Sequence, residues 1–156
     1  MSESSKTNVP IVRLPCMCAT MRRATRAVSR LYEQELRQAG LRGTQYSLLR
    51  TLHDMTAQCP EGATQGLLAD LVAMDQTTLT RNLRPLVRRG WVSIRPGQRD
   101  KRERIIRLSP KGNAMVEKAH RYWQAAQRRF AESMRPADWK VLGELLSAVT
   151  AAALNA

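Results

Sequence analysis

The feature that most constrains this chain is a change of hydrophobic period inside one basic stretch. Leu79, Leu83, Leu86 and Val87 recur at the spacing of a helix that buries one face, and Gly90 supplies its stop. Immediately afterwards, Trp91 to Arg95 and Arg104 to Leu108 alternate or run apolar with β-branched residues. Pro96, Gly97, Gln98, Arg99, Asp100, Lys101 and Arg102 lie between them and carry turn chemistry. The pattern predicts a helix, a tight stop and a β-hairpin with a basic tip. Within residues 81–107 stand ten Lys/Arg (Arg81, Arg84, Arg88, Arg89, Arg95, Arg99, Lys101, Arg102, Arg104, Arg107) against Asp100 and Glu103, so this stretch carries +8 of the chain's +13. Residues 41–80, with two basic and four acidic residues, come to −2. Charge confined to a defined helix and hairpin is the pattern of a phosphate-binding surface. General adhesion to polyanions would be served by a uniformly basic surface instead.

The same period reading organises the rest. Residues 1–14 lack the layout of a secretory signal and read as a disordered tail. From Pro15 to about Ala39, Met17, Met21, Ala24, Val28 and Leu31 form the stripe of a first helix, stopped by Gly40. Thr44 is the expected N-cap of a second helix carrying Leu48, Leu49 and Leu52, which fades after Met55 into a loop with Cys59, Pro60 and Gly62. Thr64 caps a short third helix with Leu67, Leu68, Leu71 and Val72 inward. After a break at Ala73 and Met74, Asp75 caps the fourth, so the third and fourth form a helix-turn-helix. Ser109 and Pro110 open a long helix to about Met134, with Met115, Ala119, Tyr122, Ala126 and Phe130 on one side. A last helix from Pro136 carries Trp139, Leu142, Leu145 or Leu146, and Val149. At 156 residues, 43% of them apolar, the chain is one domain's worth. No run approaches the ~18 to 20 apolar residues of a membrane span, and a cytoplasmic protein is expected.

An α-helix fits the major groove of DNA, and the groove-facing side needs short polar groups and Arg. With its leucines inward, the fourth helix presents Gln76, Thr77, Thr78, Thr80, Arg81 and Arg84. Gln76 and Arg81 are the candidates for bidentate base contacts; the threonines suit phosphates or thymine methyls. Thr64 and Gln65, opening the preceding helix, are placed to meet a backbone phosphate. Arg99, Lys101 and Arg102 project from a loop narrow enough for the minor groove, whose negative potential attracts Arg. Asp100 is expected to hold the tip in shape by accepting hydrogen bonds from loop amides or pairing with an Arg.

The stretch Asp75 to Gly90 (DQTTLTRNLRPLVRRG), Trp91-Val92, the Asp-x-Arg of Asp100-Lys101-Arg102 and Leu108-Ser109-Pro110-Lys111-Gly112 together resemble the MarR family of bacterial transcription regulators. The resemblance covers nearly the whole chain. It implies a mainly α fold, a winged helix-turn-helix over about 44–108 flanked by long dimerisation helices at about 15–39 and 110–155. It also implies an obligate homodimer on a pseudo-palindromic operator of double-stranded DNA, usually repressing nearby genes. Apolar faces on the first and last two helices exceed what a small winged module covers, which agrees with a partner chain. Trp123, Phe130 and Trp139 fit that interface or the chain's own core equally.

Members of such a family respond to small, often aromatic ligands or to oxidation of a cysteine. Cys16 and Cys18 fall in the expected first turn of helix one, where the partial positive charge of a helix end favours a thiolate. Oxidation to sulfenic acid and then a disulfide, with Cys59 the remaining candidate partner, is one reading. Three thiolates holding a soft metal or metalloid ion, within or across a dimer, is a second. Inert small hydrophobes are the third. No required cofactor is implied. His53 and His120 form no ligand spacing and read as structural or surface residues. No serine, histidine and acid set, phosphate-cradling glycine loop or paired carboxylates stand out, so enzyme classes find no support. The alternative to a specific regulator is an architectural protein that binds DNA or RNA without sequence preference.

Overall fold

Leucines at helical spacing dictate most of the architecture, seen in a computed structural model that describes residues 16–155. The expected tail at 1–14, and Pro15, lie outside the described residues. The chain runs α1 (Met17–Leu36), a 3-10 turn (Arg37–Ala39), α2 (Gly43–Asp54), β1 (Ala63–Thr64), α3 (Gln65–Leu71), α4 (Gln76–Arg88), β2 (Val92–Pro96), β3 (Arg104–Leu108), α5 (Pro110–Glu132) and α6 (Pro136–Leu154). The fold is mainly helical, with one small antiparallel sheet in the order β1-β3-β2.

Leu48 and Leu49 of α2, Leu68 of α3, Leu79, Leu83 and Leu86 of α4, Ile106 of β3 and Val116 of α5 are each at most 1% exposed. Burying a leucine is worth about 2 kcal/mol, so the three of α4 alone contribute on the order of 6 kcal/mol to seating it. α3 and α4 meet at a turn in which Ala73 adopts φ +50°, the one positive φ at a non-glycine among the described residues. Gly40 and Gly90, at φ +74° and +68°, end the helices before them as the sequence predicts.

The hairpin pairs Val92 with Leu108 and Ile94 with Ile106. β1, which the sequence reading missed, adds a third strand of two residues, Ala63 opposite Ile106 and Thr64 opposite Ile105. Its position depends on Gly62 at φ +108°, where any Cβ would lie 2.6 Å from the Ile106 carbonyl oxygen. The sheet is locked to α5 by Ser109. Its hydroxyl donates to the Gly90 carbonyl (2.7 Å) and accepts from the Gly112 amide (3.0 Å), while its own amide donates to the Trp91 carbonyl (3.0 Å). A Cβ at Gly112 would stand 2.1 Å from the Trp91 oxygen.

Several expectations are corrected. Thr44 does not cap α2, because that helix begins earlier: the Gly43 amide donates to Glu33 Oε1 of α1 (2.7 Å) and the Arg42 amide to Gln45 Oε1 (3.1 Å). Leu67, Leu71 and Val87 are exposed, since α3 is only seven residues long and turns Leu68 and Ala69 inward, while Leu79, Leu83 and Leu86 fill the space under α4. The α1 stripe is only partly covered: Met21, Val28 and Leu31 are half-buried. Met17 is 66% exposed and Ala24 is exposed, and only Leu36, at the end joined to α2 and α5, is buried. On α6, Val141, Leu145, Leu146 and Val149 are exposed, and Phe130 of α5 meets Trp139 of α6 edge to face at 5.3 Å.

The close approach at Gly112 yields a direct prediction. Gly112→Ala should cost about 3 kcal/mol, read as a lower urea midpoint. Gly66→Ala, whose added Cβ meets nothing within 4 Å, should shift stability by no more than about 0.5 kcal/mol. Equal midpoints for the two variants would contradict the packing described.

Candidate nucleic-acid interface

Helix α4 owes its orientation to its two sides. The leucine face is buried, so the opposite face must look outward, and Gln76, Thr77, Arg81 and Arg84 are all exposed there. The helix is started by Asp75, which accepts from the Thr78 amide (2.8 Å) and from the Thr78 hydroxyl (2.6 Å). Those hydrogen bonds, the Thr78 hydroxyl first, hold the Asp75 carboxyl below its ordinary value of 3.8. Pro85 lies inside the helix. It removes one backbone donor without interrupting the helix, which continues to Arg88.

The remaining polar residues divide into free and committed. Thr78 is used by the Asp75 cap. The Thr80 hydroxyl donates to the Gln76 carbonyl (2.8 Å) and accepts from Gln65 Nε2 (3.2 Å), tying α3 to α4. Gln65 is therefore turned towards α4. The Thr64 hydroxyl accepts from the Leu67 amide (3.2 Å) as the cap of α3. Of the six outward residues read from the sequence, the structure leaves Gln76, Thr77, Arg81 and Arg84 at the surface and gives Thr78 and Thr80 internal work. The spacing that marks a helix face does not reveal which hydroxyls turn back to the backbone.

At the wing, Asp100 is hydrogen-bonded within the loop. Its Oδ1 accepts from the Arg102 amide (2.8 Å), and the loop is closed by the Gly97 amide on the Glu103 carbonyl (3.0 Å) and the Glu103 amide on the Asp100 carbonyl (3.1 Å). Arg99, Lys101 and Arg102 are exposed on this braced loop. Arg89, counted in the basic block, is structural. It donates to the Gly40 carbonyl (3.1 Å) and lies 4.8 Å from the centre of the Trp91 ring.

A cavity of about 840 Å³ lies between α1, α2, α5 and the α3–α4 turn, with Val28, Tyr32, Tyr46, Met74, His120 and Trp123 among its walls. The Tyr46 hydroxyl is 3.1 Å from His120 Nδ1, and His120 stacks on Trp123 at 5.4 Å. Burial raises the hydroxyl pKa of both Tyr32 and Tyr46. His120, which reads as structural or surface in the sequence, thus stands in a cavity wall, and no spacing in the sequence marks the residues that line it.

The cysteines do not converge as a three-thiolate site would need. Cys16, in extended conformation, precedes α1, Cys18 is inside its first turn, and both are exposed. Cys59 is half-buried in the loop after α2, beside Pro60 and near Pro110 of α5. Among the described residues no three His, Cys, Asp or Glu side chains form a metal-holding group.

The exposed α4, its capped partner helix and the braced hairpin define a winged helix-turn-helix. The MarR family model matches residues 39–103. The multiple antibiotic resistance protein MarR of Salmonella typhimurium is 30% identical over 91 residues, which cover 58% of this chain and 60% of that protein. The chain thus spans less than two thirds of this curated relative. The transcriptional regulator MosR of M. tuberculosis, in complex with DNA, is 33% identical, with a TM-score of 0.71 over 88% of this chain and 98% of that one. BpsR of Bordetella bronchiseptica, at 20% identity and a TM-score of 0.77 over 91% and 98% of the two chains, shares the fold. The chain belongs to the MarR family.

The Asp75 cap predicts a pH dependence. Because its folded pKa is lowered, the stability it lends is fully present above the ordinary aspartate value and is lost as pH falls through the lowered one. Asn caps helices well but carries no charge. The gap in thermal midpoint between wild type and Asp75→Asn should therefore narrow as pH falls through the acid range. A gap that is constant from neutral to acid pH would contradict a role for the carboxylate charge.

Proposed function

We propose that this protein is a sequence-specific DNA-binding transcription regulator that acts as a homodimer, with α4 in the major groove and the wing tip against the neighbouring minor groove. The observation that carries this reading is the pairing of one free polar helix face with one braced basic loop on the same small module. Gln76 and Arg81 are suited to bidentate contacts with base edges, and Arg99, Lys101 and Arg102 to phosphates and the minor groove. Dimerisation is supported by the uncovered apolar residues of α1 and α6: exposed Val141, Leu145, Leu146 and Val149 on one helix and Met17 on the other are costly in water and are covered economically by a second copy. A pseudo-palindromic operator follows from that two-fold symmetry. Repression, by occupying DNA near the regulated genes, is the action that the family resemblance favours.

Release by a small molecule is favoured over release by a metal. The cavity has room for a drug-sized ligand and aromatic walls with two phenol hydroxyls and an imidazole. Val72 and Met74, on either side of Ala73, belong to its wall, so an occupant bears directly on the turn that sets the angle of α4. DNA binding by BpsR is regulated by 6-hydroxynicotinic acid, and CouR of Rhodococcus jostii binds p-coumaroyl-CoA; an aromatic acid or its thioester is the ligand class to try first. A thiol switch is the second reading, favoured by the exposure of Cys16 and Cys18 at one helix end.

Fluorescence anisotropy on the duplex upstream of the protein's own gene, with random duplex as competitor, tests the reading. A preference of roughly 10³ or more is expected. Arg81→Ala should remove about 1–3 kcal/mol of that discrimination, and Arg102→Ala should weaken both duplexes with less change in preference. Equal affinity for both duplexes would establish the architectural alternative. In light scattering, Leu145→Glu with Leu146→Glu should convert a dimer to a monomer, and a wild-type monomer would overturn the dimer assignment.

A further inference from the structure

The positive charge of α4 continues beyond the helix-turn-helix onto a neighbouring surface. Between the α1–α2 junction and the flank of α4 is a cleft of about 830 Å³ whose wall includes Arg37, Arg42, Arg81, Arg84, Arg88 and Arg89, with Glu33 the one carboxylate. Arg89 is committed to the Gly40 carbonyl and the Trp91 ring, and Glu33 to the Gly43 amide. Among the described residues, no ion pair joins Arg37, Arg42, Arg81, Arg84 or Arg88 to an acid. All five are exposed. Five like charges around one cleft repel each other and gain most from a shared polyanion, and the guanidinium fork matches phosphate oxygens in pairs.

The start of α2 faces this cleft, and two of the amides there already have protein partners. Gly43 is held by Glu33 and Arg42 by the Gln45 side chain. The charged side chains placed there for an anion are Arg37 in the 3-10 turn and Arg42 just before α2. Neither belongs to the helix-turn-helix or the wing, and their surroundings in sequence gave no reason to include them in the basic block. The cleft is continuous with the outward face of α4 through Arg81 and Arg84, so a duplex seated on α4 brings a sugar-phosphate strand along it.

We infer that the α1–α2 junction is a backbone clamp, in which Arg37 and Arg42, with Arg88 opposite, grip the phosphates of a DNA strand leaving the groove that α4 occupies. The inference rests on the proposed DNA-binding function and extends it to a surface that reads no bases. Phosphate contacts fix position and carry affinity without sequence information. The clamp also ties α1 to the DNA, so α1 is held by the duplex at one end while its uncovered stripe remains for a partner chain.

The test compares wild type, Arg37→Ala with Arg42→Ala, and Arg37→Lys with Arg42→Lys on operator and random duplexes across a salt series. The alanine pair should lose on the order of tenfold in affinity for both duplexes and lower the slope of log K against log salt by about 1.8 per protomer, the value for two phosphate contacts. The ratio of operator to random affinity should not move, and the lysine pair should keep most of the slope. A wild-type protein that binds no duplex would defeat the DNA-binding reading itself. Normal wild-type binding with an unchanged slope in the alanine pair would overturn the clamp alone. A changed preference between duplexes would show that these arginines read sequence and would equally overturn it. Inorganic tripolyphosphate, titrated without DNA, should bind only weakly. Saturable micromolar binding that the alanine pair abolishes would reassign the cleft to a free polyanion.

Discussion

The burial of Leu79, Leu83 and Leu86 is the constraint on which the rest of the molecule depends. Those three side chains fix the rotation of α4 about its own axis, and that rotation decides which residues face water. Were the helix turned by a third of a revolution, its arginines would face the apolar core, at the cost of burying unpaired guanidiniums. The basic face is thus a consequence of the core. The same leucines lie in the core where α4 meets α2 and β2 of the wing.

What connects that surface to the remainder is a small set of junctions. Ser109 and Gly112 bind α5 to the wing, Glu33 and Gln45 bind the start of α2, and Ala73 makes the turn between α3 and α4. Two of these lie next to cavities. Val72 and Met74 bring the Ala73 turn into the wall of the aromatic cavity, and Glu33 belongs to the walls of both that cavity and the arginine cleft. On the proposed reading, an occupant of the aromatic cavity would bear on two supports of the DNA-facing surface, the turn before α4 and the start of α2. Glu33 is the residue common to the proposed effector and phosphate sites.

The sequence was most legible where structure is decided locally. The Asp75 cap, the Gly90 stop, the hairpin and the Ser109 start all rest on residues within a few positions of each other, and each stands where it was expected. It was least legible where a distant residue decides. Glu33, ten residues upstream, displaced Thr44 as the start of α2; Ile105 and Ile106, some forty residues downstream, made a strand of Ala63 and Thr64 that has no periodicity of its own. Within the site, the free and committed side chains of α4 looked alike in the sequence. Gln65 reached across to Thr80, and Thr78 turned back to Asp75, because both hydroxyls found nearer partners than DNA. The stripes of α1 and α6 are a different case: they stand at helical spacing, but among the described residues Met17, Leu145, Leu146 and Val149 stay exposed.

Hydroxyl-radical footprinting of the wild-type protein on its own upstream region addresses the central claim, that two copies of this surface grip DNA symmetrically through groove and backbone. The account predicts two related clusters of backbone protection, centred about one helical turn or a whole multiple of it apart, each with a flank extending past the base-reading contacts to where the arginine cleft falls. Protection that is uniform along the fragment, or a single unpaired cluster, would contradict it.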